Sequence, residues 1–261
     1  MPHGVWRFRR FLPVLGWLLV EEKSSADKKQ LPWLVETALI VVVVLAVVGV
    51  FQAFIGRQYV IPSGSMEPTL HGCEGCANDR VFVQKVSYYG SEPEPGDVIV
   101  FEGTEDWNTL WESPRSDNPT VAKIQDALSY VSLAPPNENN LVKRVIATGG
   151  QEVSCQEGDP AVMVDGKPIQ QNYVLDPPTY AVDPATGSEA CGGEYFSPIT
   201  VPEGRLFMMG DSRTNSLDSR AHIDDGSYGT IPLENVRGKV EFVFYPFNNI
   251  GAVEDYDIQA K

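Results

Sequence analysis

The longest apolar stretch runs from Thr37 to Ile55, TALIVVVVLAVVGVFQAFI, 19 residues in which only Thr37 and Gln52 are polar. A helix of that length rises about 28 Å, close to the hydrocarbon thickness of a bilayer. The pattern predicts a transmembrane helix over residues 33–55, with Trp33 and Tyr59 suited to the two interfaces. Four successive valines fit lipid better than the half-exposed helix of a soluble core. A cleavable signal sequence would need a small-x-small exit, and the exit here reads VFQAFIGRQ. The earlier apolar piece FLPVLGWLLV is too short to span and contains Pro13.

Beyond residue 56 the periodicity shortens. VFVQKV (81–86), DVIVF (97–101), LVKRVIA (141–147), AVMV (161–164), RLFMM (205–209) and KVEFVFY (239–245) read as short strands broken by Gly and Pro. Asp165-Gly166 after AVMV is a hairpin turn signal. Residues 102–140 form an acidic, loop-like insertion with one predicted helix. Its N-cap is Asn118, Pro119 takes the first position, and Ile124, Ala127, Leu128 and Val131 share a face. The expected fold is mainly β, a coiled or barrel-like sheet assembly carried on one N-terminal transmembrane helix.

Charge adds a topology. Residues 1–35 hold six Lys or Arg against three acids, while the remainder holds 14 basic and 32 acidic residues. So acidic a body excludes nucleic acid as a partner, since phosphates demand a basic face. The basic N-terminal side predicts a cytoplasmic tail over 1–32 and an extracytoplasmic domain over 56–261. Four cysteines, Cys73, Cys76, Cys155 and Cys191, suit an exported domain with disulfides. A zinc site would need Cys155 and Cys191 as partners for Cys73 and Cys76, yet no second CxxC exists. Structural disulfides are expected, Cys155 with Cys191 among the pairings, which spacing leaves open.

Candidate chemistry begins at YVIPSGSMEPTL (59–70), where Ser63 and Ser65 flank a glycine about ten residues past the apolar run. A serine nucleophile needs a base. The chain has only three histidines, His3, His71 and His222. GDS at 210–212 matches part of the nucleophile loop of trypsin-like proteases, but those continue with glycines and here RTN follows. Gly149-Gly150 lacks the lysine and hydroxyl of a phosphate loop. Lysine can replace histidine as base if its pKa falls from roughly 10.4 to about 7, which costs about 4 kcal/mol of desolvation. LVKRVIA meets that need: alternation sets Lys143 beside Leu141 and Val145, with Arg144 on the opposite face. The S-x-x-K spacing of β-lactam-binding enzymes is absent, which points to another Ser-Lys class.

SGSMEPTL (63–70), PGDVIVF (95–101), LVKRVIATGG (141–150) and GDSRTNSLDSR (210–220) occur in the order and character of the bacterial type I signal peptidases, peptidase family S26. The chain resembles that family, in particular its actinobacterial members with one anchor. The resemblance implies Ser65 as nucleophile, Lys143 as general base, and Ser63 with the Ser65 N–H as oxyanion donors. It implies Ser216 as a lysine-orienting hydroxyl, and Asp211, Arg144, Asp218 and Arg220 as supporting ion pairs. Ile61, Pro62, Met66, Leu70 and Val142 fall where the family lines shallow pockets for small residues. The implied substrates are preprotein signal peptides ending in Ala-x-Ala, cut at the bilayer surface by a monomer without cofactor or metal. Two departures stand out. ATGGQ replaces the usual Gly-x-Pro-Gly-Asp after the lysine strand, and Ser212 and Thr214 replace the usual Asn and Asp. A Ser-Lys peptidase dedicated to a narrower substrate set, and a membrane-tethered binding protein on an inactive peptidase fold, are the competing readings.

Overall fold

The computed structural model describes residues 32–104, 107 and 111–259 of the chain. The expected cytoplasmic tail and the FLPVLGWLLV stretch lie outside these residues. Packing divides the chain into two units, Met1–Val41 and Val42–Lys261. Of the first, the described part is Pro32 and the opening turns of a helix, α1, Trp33–Phe54. None of its apolar window is buried, as expected of a segment long and apolar enough to cross a bilayer.

The second unit is built on antiparallel strands. β1 (Gly56–Val60), β2 (Arg80–Gln84), β3 (Val98–Glu102) and β4 (Asn140–Thr148) come first, with helix α2 (Pro119–Ser129) between β3 and β4. Then follow β5 (Glu152–Cys155), β6 (Met163–Val164), β7 (Lys167–Pro168), β8 (Gly187–Ser188), β9 (Gly193–Glu194) and β10 (Phe196–Thr200). The chain closes with β11 (Arg205–Met209), β12 (Ile231–Pro232), β13 (Val236–Tyr245) and β14 (Gly251–Ala252). The large sheet runs β1-β2-β13-β3-β4-β11-β12 with β14 on β13, and a smaller one runs β10-β5-β6-β7.

Local chemistry explains the elements that the pattern predicts. Asn118 caps α2, its side chain accepting from the N–H groups of Thr120 and Val121. Asp165 and Gly166 both take positive φ, 51° and 72°, the turn that joins β6 to β7. AVMV is shorter than predicted, because only Met163 and Val164 find ladder partners. Val98 to Phe101 are all buried, since β3 has apolar neighbours on both faces. β4 is the central strand of the site. It pairs with β3 on one side, Ile99 opposite Lys143, and with β11 on the other, Met209 opposite Arg144.

Three apolar clusters hold this frame. One gathers Ile61, Met66, Leu70, Val81, Val98 and Val240 beneath the 61–70 loop. A second joins Ile99, Phe101, Val145, Met208 and Ile231. The third packs Ile146, Val153, Phe196, Phe207 and Met209 between the two sheets and includes both Cys155 and Cys191. Those two cysteines are disulfide-bonded, as are Cys73 and Cys76. The second pairing leaves no thiolate at the CxxC to ligate a metal.

The Cys155–Cys191 bond closes a loop of 36 residues inside an apolar cluster. Loop-closure entropy puts its contribution at about 4 kcal/mol. The double variant Cys155→Ala/Cys191→Ala should lose that much in urea unfolding of the solubilised protein. A loss under about 1 kcal/mol would mean that the loop is held by packing alone.

Candidate active site

Ser65 sits in a single 3-10 turn, Gly64–Met66, entered from Ser63 in an extended conformation. The turn stops at once because Glu67 precedes Pro68, and a residue before proline is pushed out of the helical region. Glu67 indeed has φ −64° and ψ 142°. First-turn N–H groups have no acceptor within their own helix, so the Ser65 amide belongs to a set of donors open to an outside partner. Met66 and Leu70, 1% and 0% exposed, pin the loop into the core from below.

Gly210 allows a close approach. A β-carbon there would stand 2.4 Å from Ser65 O and 2.3 Å from Ser216 Oγ, so no other residue fits. The segment after β11 thereby reaches the serine turn, and Ser212 N–H donates to Ser65 O at 3.2 Å.

Lys143 reaches the same point from β4. Its Nζ is 2.7 Å from Ser65 Oγ, across 78 residues of sequence, and the side chain is 4% exposed. Ser63 Oγ donates to Ser65 Oγ at 3.4 Å. Burial lowers the Lys143 pKa from 10.5 to about 8, against the upward pull of Asp218 and Asp211, with Arg220 lowering it further. The cause is desolvation, which penalises the charged form of a lysine.

Both carboxylates are matched by a guanidinium. Arg144 Nε and Nη2 lie 2.9 and 2.7 Å from the two oxygens of Asp211, and both side chains are fully buried. Thr69 Oγ donates to Asp211 at 2.6 Å, tying the pair to the serine loop. The Arg144 guanidinium also lies over the Tyr173 ring, 4.4 Å from its centroid. Arg220 forks onto Asp218 at 2.9 and 2.8 Å and donates to the carbonyls of Gly192 and Arg213. Burial pushes the Asp218 carboxyl up, but Arg220, the Gly210 N–H and the nearby Ser216 hydroxyl hold it below the usual range.

Among the described residues, then, Ser63, Ser65 and Lys143 meet, and the four charged residues pair as Arg144–Asp211 and Arg220–Asp218. Ser216 Oγ is buried next to Gly210, near enough to influence Asp218, yet has no partner at hydrogen-bonding geometry. It does not bond Lys143 in this structure. Ile61, Met66, Leu70 and Val142 join one core cluster, whereas Pro62 is exposed and lines a cleft. Leu70 has no exposed surface and shapes the site only from beneath. His71 pairs with Glu67, and His222 stacks on Trp107 with ring centroids 4.8 Å apart. The hydrogen-bond partners of Ser65 Oγ are Lys143 and Ser63.

Thr69 and Tyr173 escaped the sequence reading. Thr69 lies inside a recognised segment, but its partner is 142 residues away. Tyr173 sits in a stretch with no periodicity, and no local signal could have found it.

The comparisons with known proteins bear on the same segments. Residues 34–245 match the family described as signal peptidase, peptidase S26. A probable signal peptidase I of Mycobacterium leprae is 44% identical over 248 residues, 90% of this chain and 84% of that protein. The signal peptidase I of Mycobacterium tuberculosis (strain H37Rv) is 46% identical over 229 residues, 86% and 76% of the two chains. That of Bacillus licheniformis is 32% identical, covering 89% and 98%. A crystal structure of a signal peptidase I from Enterococcus faecalis V583 shares 21% identity, with a TM-score of 0.30 over 57% of this chain and 97% of that one.

Two stability predictions follow from the buried charges. The folded-state pKa of Lys143, about 8, lies below its ordinary 10.5. Below pH 8 the native state must therefore carry a desolvated ammonium or give up its proton. This burden, about 3 kcal/mol, fades between pH 8 and 10.5 and is absent above. Lys143→Met should raise stability at pH 7 by up to that amount, and the gain should vanish near pH 11 in paired denaturation curves. Asp211→Leu should cost about 3–5 kcal/mol, because it strands Arg144 as a buried, unpaired charge. Near-wild-type unfolding of Asp211→Leu would mean that water reaches the guanidinium.

Proposed function

The chain belongs to the signal peptidase family, peptidase S26, and we propose that it cleaves signal peptides from exported preproteins after Ala-x-Ala junctions, with Ser65 as nucleophile and Lys143 as general base. The observation that carries the assignment of roles is the 2.7 Å contact between a desolvated lysine nitrogen and a serine hydroxyl. With a pKa of about 8, roughly a tenth of Lys143 is neutral at pH 7 and able to accept a proton.

The steps follow from that geometry. Ser65 Oγ attacks the scissile carbonyl carbon as Lys143 Nζ takes its proton. The Ser65 N–H and the Ser63 hydroxyl donate to the oxyanion of the tetrahedral intermediate. Lys143 then returns the proton to the departing amine, which leaves as the N-terminus of the mature protein. Water, deprotonated by Lys143, releases the signal peptide from the Ser65 ester. The ion pairs at Asp211 and Asp218 offset two carboxylates that would otherwise hold the lysine protonated. Ser216, whose hydroxyl lies near Asp218 and has no partner at hydrogen-bonding geometry, is the group available to orient the lysine amine.

Substrate binding follows from the sheet edge. Among the described residues β1 pairs only with β2, so its other edge offers backbone groups to an extended peptide. A cleft of about 640 Å³ runs along that edge, lined by Tyr59, Pro62, Trp111, Leu133 and Leu141. Alternate side chains of an added strand face the same way, which accounts for selection at every second residue. Met66 and Val142, packed in the core cluster next to the serine loop, limit from beneath the room for side chains at those positions. α1 ends at Phe54 and β1 begins at Gly56. Ten residues of chain reach at most about 35 Å, so Ser65 works close to the bilayer, where a signal peptide emerges. Residues 1–32 face the cytoplasm, 33–55 span, and 56–261 form the extracytoplasmic peptidase, with 102–140 inserted. The enzyme acts as a monomer on preproteins in lipid.

The test is cleavage of a preprotein by the detergent-solubilised full chain. Ser65→Ala and Lys143→Met should each lower kcat/KM by about 10⁴ or more. Ser63→Ala should lower kcat by about 10²–10³. The wild-type kcat/KM should rise tenfold per pH unit below about 8 and level off above it. Near-normal turnover by Lys143→Met would return the role of base to His71 or His222.

A further inference from the structure

Helix α2 is amphipathic in the wrong sense for a soluble domain. Of its predicted apolar face, Ile124, Ala127 and Leu128 are exposed, while Val131, just past the last turn, is partly buried against α1. Val121, Ile124 and Leu128, which share a sector of about 60° on the helix, are 42%, 55% and 36% exposed. The inward side carries Ser129, which is buried, with Ala122 and Gln125 partly buried. Core formation cannot explain this arrangement, since a helix in water turns its apolar stripe inward.

Its neighbours say what the exposed face meets. The chain leaving α2 packs on the last turns of α1, and a β-carbon at Gly49 would stand 3.8 Å from both Tyr130 O and Val131 Cγ1. Ser132 Oγ donates to Gln52 Oε1 at 2.9 Å. Arg57 Nη2, just beyond α1, donates to Ser129 O at 2.9 Å. Gly49 lies five residues inside the end of α1, about 8 Å of helix rise. A segment held there sits below the level at which the anchor ends. Arg57 and Lys85, whose Nζ donates to Ala53 O at 3.2 Å, stand at that same level, where lipid headgroups would be. Tyr130, exposed like the apolar face, is a residue suited to the interface.

We propose that α2 lies in the outer leaflet as an interfacial helix, its Val121–Ile124–Leu128 face in the acyl region and its Ser129 side against the protein. The inference rests on α1 being the membrane anchor. It assigns the 102–140 insertion a second attachment to the lipid surface, beside the β1 cleft. With two attachments, the peptidase unit would be held against the lipid surface, whereas a single helix leaves it free to swivel.

The test uses the full chain in vesicles of phosphatidylcholine and phosphatidylglycerol. An environment-sensitive fluorophore is placed on Ile124→Cys, on Val44→Cys in α1 and on Lys167→Cys in β7, one at a time. The native cysteines are held as disulfides and stay unlabelled. An interfacial helix sits about 5–10 Å deep. The Ile124 probe should therefore be blue-shifted, quenched most by lipids carrying a shallow spin label, and shielded from aqueous iodide. The Val44 probe should respond most to a deep label, and the Lys167 probe to iodide. Iodide quenching at Ile124 like that at Lys167 would overturn the inference, because the face is then in water. Shielding from both lipid label and iodide would overturn it in favour of a second protein copy on that face. Loss of lipid quenching at Val44 would remove the anchor itself, a distinct result that takes this inference with it.

Discussion

A lysine can act as a base near neutral pH, the role proposed for Lys143, only if the protein denies its ammonium enough water, and Lys143 is buried with its pKa lowered to about 8. Lys143 is taken out of solvent by a central strand flanked on both sides, with Ile99 opposite it on β3 and the serine turn closing over its tip. A surface strand could not have done this, because an exposed ammonium keeps its hydration and its ordinary pKa. The interior position of β4 in the large sheet is thus a condition of the proposed chemistry.

Desolvation alone would fail if carboxylates nearby were free to hold the proton on. Asp211 and Asp218 are both buried close to Lys143 and both favour its charged form. Each is engaged by a forked arginine, and Arg220 counters part of that pull on the lysine. The same pairs do mechanical work. Arg144–Asp211 joins β4 to the segment after β11 and, through Thr69, to the serine loop. Arg220–Asp218 ties that segment to the carbonyls of Gly192 and Arg213. Gly210 lets the segment lie against Ser65 at a distance no side chain would permit. Four stretches far apart in sequence are thereby held at one point.

Location completes the picture. The serine turn follows the anchor by about ten residues, and the free edge of β1 begins where α1 stops. A peptide leaving the bilayer in extended form would meet backbone donors and acceptors before anything else. The insertion that borders this cleft carries its apolar face outward, and the outer turns of α1 are its nearest support. In the proposed function, proximity to the membrane serves substrate access as well as anchoring.

Much of this was legible in the sequence because it depends on local physics. The α1 span follows from a run of apolar residues, the start of α2 from Asn118 and Pro119, and the β6–β7 turn from Asp165-Gly166. The exposure of Lys143 to apolar neighbours follows from strand alternation around Leu141 and Val145. Other features had no local signal. β1 reads GRQYV and β10 reads FSPIT, edge segments whose polar residues and proline hide their strand character; ladder partners alone make them strands. Only the tertiary structure decided that Cys73 pairs with Cys76, that Thr69 and Tyr173 brace Arg144, that Ser216 lies near Asp218 without bonding Lys143, and that the apolar stripe of α2 faces outward. Short-range patterns record what each segment prefers; which segments meet depends on packing across 70 to 140 residues of chain, and a lysine becomes a base only once that packing has removed its water.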